Sequence, residues 1–292
     1  MTSLLLLPLL YGAWQQPETD FRLTAEVRLV VLDISVRNSK GQPVGGLPRE
    51  AFHVWDSGSA VSISSFAGED APVSLGLVVD TSGSMRPKRG ELISAAATFL
   101  KESNVNDEIF LTTFNDVVNT MEPMSHDILR QRIEEAPLLG RTALFDAIRS
   151  ALQQLKKGTK ERKALVVISD GGDNLSLISR EEILRMAHMS QATIHVIGIS
   201  DPEGHESDPR FLHQLAHLTG GEWRLNISPS QLPSVCARIA RDIRSRYTLC
   251  FNAYEPHQTE IRPIKVEVKS PEYGRLRALT RPSYIATETP QP

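Results

Sequence analysis

The sequence predicts an α/β fold: a doubly wound, mostly parallel sheet with one antiparallel edge strand, joined to a small accessory β domain built from both ends of the chain. Three observations predict it. Between residues 73 and 227 strand-type and helix-type patterns alternate, and the strands read as near-continuous apolar runs, as a sheet covered on both faces requires. Within that stretch, residues 107–114 are followed after Asn115-Asp116 by 117–121, a spacing that makes the pair a hairpin and hence an antiparallel edge. Outside it, both flanks carry strand signals, yet neither has enough strands for a stable sandwich alone.

Residues 73–79 are the first core strand, and the helix over 87–102 carries Leu92, Ile93, Ala96 and Phe99 at helical spacing. After the hairpin come helices over 128–135 and 142–156, then a second buried-type strand over 162–169. Ser179 caps a helix over 180–189; a strand follows over 193–199, then a helix over 211–218 closed by Gly220-Gly221, and a strand over 222–227. On the front flank 26–36, 52–55 and 61–66 read as strands, with turns at Gly41-Gln42-Pro43 and Asp56-Ser57-Gly58. On the back flank 247–253, 264–268 and 276–279 are strand-like. Ile264, Val266 and Val268 alternate with Lys265, Glu267 and Lys269, so one face of that strand is wet. The predicted division is 17–70 for the front part of the accessory domain, 71–245 for the α/β domain, 246–286 for the back part and 287–292 for a disordered tail.

Composition bounds the function classes. The chain of 292 residues is 40% hydrophobic and 23% charged, as ordinary globular proteins are, and its formal net charge of −3 gives no electrostatic footprint for nucleic acid. The densest basic cluster, Lys156-Lys157, Lys160 and Arg162-Lys163, reads as a solvated helix end. Leu4 to Leu10 is an apolar run broken only by Pro8 and followed by Gly12 and Ala13, the outline of a clipped secretory signal over residues 1–16, although no Lys or Arg precedes it.

Several signals weigh against particular chemistries. Cys236 and Cys250 match no zinc pattern; they read as two buried thiols, or as a bridge if an antiparallel return brings helix and strand together, each cysteine about 13 Å from the turn. His213 and His217 have the four-residue spacing that lets two imidazoles share zinc, but Gln214 stands where a metalloprotease helix carries Glu, and core or surface histidines are the reading. Gly171-Gly172 has no Gly-Lys-Ser/Thr to accompany it, so a nucleotide-binding loop is unsupported.

The strongest local signal is Asp80-Thr81-Ser82-Gly83-Ser84-Met85, at the end of the apolar strand over 73–79. A carboxylate followed by two hydroxyls at alternate positions places three oxygens on one face of a loop, which suits a hard divalent cation; Ser82 and Ser84 serve equally as helix caps. Asp170 ends the second buried strand, and Thr142 starts a helix between the two. Parallel strands deliver their C-terminal loops to one edge, so Asp80, Ser82, Ser84, Thr142 and Asp170 converge there. Asp173, beside Asp170, reads as a hydrogen-bond partner of metal-bound water.

With Asp-x-Ser-x-Ser at 80–84, Thr142 on a following loop and Asp170 after a later strand, the chain resembles the von Willebrand factor A (VWA) domain and its metal-ion-dependent adhesion site. The flanks resemble a bacterial group of secreted "VWFA-related" proteins, on Val30-Val31-Leu32-Asp33, Lys40-Gly41-Gln42-Pro43-Val44 and Ala51 to Asp56 at the front, and on Leu215 to Gly221, Ser245 to Leu249 and Arg262 to Val268 at the back. The resemblance implies Asp80, Ser82, Ser84, Thr142 and Asp170 as ligands of Mg²⁺, or of Mn²⁺ or Ca²⁺. It also implies a secreted or envelope-located, non-enzymatic module whose bound metal captures an Asp or Glu side chain of a protein partner. Neutral hydroxyl ligands leave the cation much of its charge, which is the physical reason to expect an outside carboxylate. Two alternatives stand beside this reading: an intracellular VWA adaptor working with an AAA-type ATPase, and a metal-dependent phosphohydrolase. The phosphohydrolase lacks an evident nucleophile and general acid around the metal.

Overall fold

In the computed structural model, residues 28–170, 172–200, 208–253 and 259–286 are described. The signal segment expected over 1–16 and the tail expected over 287–292 lie outside them.

The central sheet is built from β5 (Val73–Asp80), β6 (Glu108–Phe114), β7 (Val118–Thr120), β8 (Arg162–Ser169), β9 (Thr193–Ile199) and β10 (Trp223–Ile227), in the order β10-β9-β8-β5-β6-β7. All neighbours are parallel except β6 and β7, which form the antiparallel edge. Every residue of β5 is buried, because helices cover both faces. On one face α1 (Arg89–Glu102), α2 (His126–Glu135) and α6 (Leu232–Arg244) pack Leu92, Phe99, Leu129 and Ile239 against Leu75, Leu77 and Val79. On the other, α3 (Leu144–Leu155), α4 (Arg180–Met189) and α5 (Pro209–Thr219) pack Ile148, Ile183 and Phe211 against Val78, Phe110 and Val167. Gly76 is glycine for a steric reason: a Cβ there would lie 2.4 Å from the Phe110 ring and 2.6 Å from Leu165.

Both flanks build the accessory part, as two four-stranded sheets. Their strands are β1 (Arg28–Arg37), β2 (Phe52–Asp56), β3 (Ser59–Val61) and β4 (Ile63–Ala67) from the front, and β11 (Tyr247–Ala253), β12 (Glu260–Val268), β13 (Arg277–Leu279) and β14 (Ser283–Ala286) from the back. The sheet orders are β13-β1-β11-β4 and β14-β12-β2-β3, so front and back strands alternate in the first and meet at the β12–β2 pair in the second. Leu32, Ile34, Phe52, Val54, Leu249 and Phe251 share one core. Ser57 and Gly58, with φ of 49° and 85°, make the tight turn that joins β2 to β3.

Two sequence expectations are corrected here, and the two readings of the cysteines are decided for buried thiols. The strand over 61–66 is two strands: Val61 pairs with β2 while Ile63 to Ala67 pair with β11, and the chain changes sheets at Ser62. The segment 87–102 is a 3₁₀ turn (Gly83–Lys88) leading into α1. Cys236 and Cys250 are both free and buried; Cys236 faces the α/β core, whereas Cys250 lies on β11 opposite Val31 and Ser65, so the antiparallel return does not bring them together.

The two parts meet at a buried polar joint. Arg162, expected at a solvated helix end, is buried; it donates to Asp33 Oδ1 at 3.2 Å and to the Ala71 carbonyl at 2.9 Å, tying β8 to β1. Asp242 of α6 accepts from Ser35 Oγ and Arg37 Nη2, each at 2.8 Å, and from Arg246 Nε at 3.0 Å. Burial pushes the Asp242 carboxyl up, but Arg246, His195 and Arg37 together hold it below the usual carboxylate range.

Candidate metal centre at the sheet edge

Asp80 is the last residue of β5 and Asp170 follows the last residue of β8, the neighbouring parallel strand, so both carboxylates reach the same edge. Asp80 is wholly buried. Its Oδ1 accepts from the Ser82 backbone N–H at 2.9 Å and its Oδ2 from Ser169 Oγ at 2.7 Å. Burial, and then the charge of Asp170, push its carboxyl up to about 6 despite these bonds. Ser82 Oγ and Ser84 Oγ lie 3.0 Å apart, and Ser84 opens to the surface. Ser82 precedes the 3₁₀ turn without a side-chain cap bond, so the capping reading of these serines is not realised.

The loop is held from several sides. Met85 is fully buried in the core, Thr81 Oγ1 donates to the Phe114 carbonyl at 2.9 Å, and Gly83 N–H donates to Gly140 at 3.0 Å. Thr142 lies two residues ahead of α3, buried; its N–H donates to Asn174 Oδ1 at 2.9 Å, and Asn174 N–H returns a bond to the Thr142 carbonyl at 3.0 Å. The Thr142 loop is thereby stitched to the segment after Asp170. Asp173 accepts from Phe145 N–H at 3.1 Å and from Ser176 Oγ at 2.6 Å, bonds that brace this segment against α3.

Two residues of the cluster escaped sequence reasoning. Lys88 is buried with its Nζ 3.1 Å from Asp170 Oδ2, an ion pair in which both side chains are under a tenth exposed. A lysine inside a predicted helix carries no sequence signal of burial. Ser169 carries a weak one, standing at the end of a buried strand directly before Asp170. Three exposed apolar side chains, Val117, Leu139 and Leu177, at 69%, 49% and 92%, stand on neighbouring loops beside the exposed Asp116 and Arg141.

The donor set is two carboxylates and serine and threonine hydroxyls, all hard oxygens, with one buried carboxyl destabilised by its neighbour's charge. Such a set fits a hard divalent cation. Elsewhere, His213 and His217 are exposed on α5 with stacked rings 6.0 Å apart, and among the described residues no three His, Cys, Asp or Glu side chains gather into a metal-holding group.

The family model described as the von Willebrand factor type A domain matches residues 75–172. No curated protein matches the chain. Among solved structures, it is similar to a von Willebrand factor type A protein from Catenulispora acidiphila (12% identity over 93% of this chain and 76% of that one, TM-score 0.52). It is also similar to the vWF domain of the type V pili tip protein Mfa5 from Porphyromonas gingivalis (15% identity, 60% and 95% covered, TM-score 0.51). A third is proximal thread matrix protein 1 from the mussel byssus with a zinc-occupied MIDAS motif (15% identity, 64% and 48% covered, TM-score 0.51). At these identities the likeness is one of fold.

Proposed function

Since the chain belongs, through residues 75–172, to the von Willebrand factor type A family, we propose that it is a non-enzymatic module that binds protein partners through a divalent cation. Asp80, Ser82, Ser84, Thr142 and Asp170 would hold the cation, Mg²⁺ or else Mn²⁺ or Ca²⁺, and the metal would supply the attraction for an Asp or Glu of the partner. The observation that carries this reading is the meeting of Asp80 and Asp170 at one sheet edge, beside the paired hydroxyls of Ser82 and Ser84. The chain's own residues do the rest. Asp80, fixed by Ser169 and by the Ser82 N–H, is held in one orientation, while Ser84 faces outward where a partner can approach. The exposed apolar rim of Val117, Leu139 and Leu177 is the surface that such a contact would bury. The mussel protein's zinc-occupied motif supports a metal at the corresponding edge.

A secreted or envelope location is part of the proposal. It rests on the apolar run at the start of the sequence; no helix among the described residues is long and apolar enough to cross a membrane. The test is a pull-down from the native secretome with the immobilised full chain in Mg²⁺. Partners released by chelator and not captured by Asp170→Ala are the expected result; an identical set of proteins with and without chelator would refute the reading.

A further inference from the structure

At the sheet edge opposite Asp80, where β10 begins, a cleft of about 480 Å³ separates the α/β domain from the accessory sheets. One wall comes from residues 220–224 of the α/β domain, the other from Arg37, 264–266 and 277–282. Gly220 makes this approach possible: it closes α5 at φ 75°, and a Cβ on it would stand 2.3 Å from the backbone nitrogen of Arg281. The volume is in the range of small-molecule sites.

The charge in this cleft does not balance. Its walls carry Arg37, Arg224, Arg246, Lys265, Arg277 and Arg281 against a single lining carboxylate, Glu222. Glu222 pairs with Arg37 and Arg224, Asp242 behind it with Arg37 and Arg246, and Glu267 with Lys265. Among the described residues, no carboxylate lies within ion-pair distance of Arg277 or Arg281. Arg281 is buried and donates only to the backbone carbonyls of Ser190 and Ala192, at 2.8 and 3.2 Å. Burial lowers it to about 10 against the raising pull of Asp33, which acts from beyond ion-pair distance, so it keeps its charge at neutral pH. Four further polar atoms on these walls, the donors Arg37 Nε, Arg224 Nε and Thr280 Oγ1 and the acceptor Glu222 Oε1, which is ion-paired with Arg224, are buried without a protein hydrogen-bond partner. Buried donors are ordinarily satisfied, and a cleft that collects three unsatisfied ones together with uncompensated positive charge is chemically suited to an anion. Apart from His217, the rest of the side-chain lining is apolar, with Trp223, Ile264, Val266, Leu279 and Pro282 its larger members.

We propose that this cleft binds a small organic anion, an apolar body bearing a carboxylate or sulfonate, with the anionic group at the Arg277 and Arg281 side and the body against Trp223, Ile264 and Leu279. Because its walls come from both parts of the molecule, the ligand ties the accessory sheets to the α/β domain. The site is independent of the metal centre.

The probe is 1-anilinonaphthalene-8-sulfonate, titrated by fluorescence against the full chain, with neutral N-phenyl-1-naphthylamine as the arm that lacks the anion. The expected result is saturable single-site binding of the sulfonate, weakened at least tenfold by Arg277→Gln and kept within about threefold of wild type by Arg277→Lys. Energy transfer from protein tryptophan to the bound sulfonate should fall in Trp223→Phe, and the neutral probe should show no dependence on Arg277. Arg277 is exposed, so its substitutions leave the fold intact. Equal sulfonate affinity in wild type and Arg277→Gln, or equal binding of the charged and neutral probes, would overturn the proposal as non-specific surface adsorption.

Discussion

Lys88 holds its ammonium 3.1 Å from Asp170 Oδ2, at the carboxylate that ends the second core strand and with both side chains nearly buried. A positive charge fixed on one carboxylate of a two-carboxylate cluster stabilises the cluster when no other cation is near and opposes the entry of one. Lys88→Met should therefore bind Mn²⁺ at least tenfold more tightly by isothermal titration. In chelator it should lose about 3 kcal/mol of stability, because Asp170 is left buried and unpaired. Unchanged affinity together with unchanged stability would show that the pair has no such role.

Asp242 gathers Ser35, Arg37 and Arg246 onto one buried carboxylate and so joins α6 to β1. Removing it takes the carboxylate from the buried Arg246 guanidinium and leaves Arg37 with Glu222 alone. Asp242→Ala should cost about 3 to 5 kcal/mol in urea denaturation. A loss below about 1 kcal/mol would mean that Asp242 does not hold the joint.

His195 supplies a pH dependence. Its Nδ1 accepts from the Glu222 N–H at 3.3 Å; burial first, then the charge of Arg246, push the imidazole down to about 3, against the opposing pull of Asp242 and Asp33. Between the unfolded value of about 6.5 and the folded value of about 3, the unfolded chain binds a proton that the native chain does not. The sign follows: this contribution is fully present above pH 6.5 and is lost as pH falls, by up to about 1.4 kcal/mol per pH unit. Unfolding free energies measured from pH 7 to pH 4.5 should fall more steeply in wild type than in His195→Asn. Parallel slopes would contradict the assignment.

Cys236 and Cys250 should both be inert in the native protein. Burial raises both thiols, that of Cys236 to about 12. Mass spectrometry after iodoacetamide treatment should find no adduct on folded protein and two after denaturation without reductant; a single intact bridge in the non-reduced protein would be the opposite result.

How much was legible in the sequence depended on whether periodicity or tertiary contact decided the matter. The buried strands over 73–79 and 162–169 announce themselves as apolar runs, and their endings at Asp80 and Asp170 imply the edge where these two carboxylates lie beside each other. The contribution of both flanks to extra β sheets was legible for a similar reason, since each flank is too poor in strands to stand alone. What escaped was decided by distant partners. Arg162 looks like one more cation in a basic run until Asp33, 129 residues away, accepts its hydrogen bond. Lys88 has no local reason to be buried, and the break at Ser62 arises because β2 and β11 recruit the two halves of one apparent strand into different sheets. The short strand β14 was missed because four residues after Pro282 offer too little alternation to read.

The central claim is that a divalent cation binds at Asp80, and linkage makes it measurable without knowing any partner. A ligand that binds only the native state stabilises it by about 2.7 kcal/mol at a hundred times its Kd. Thermal unfolding of wild type and of Asp80→Ala, each in chelator and in saturating Mg²⁺ or Mn²⁺, should show a rise in Tm with metal for wild type and none for the variant. An equal rise in both proteins, or no rise in either, would contradict the account.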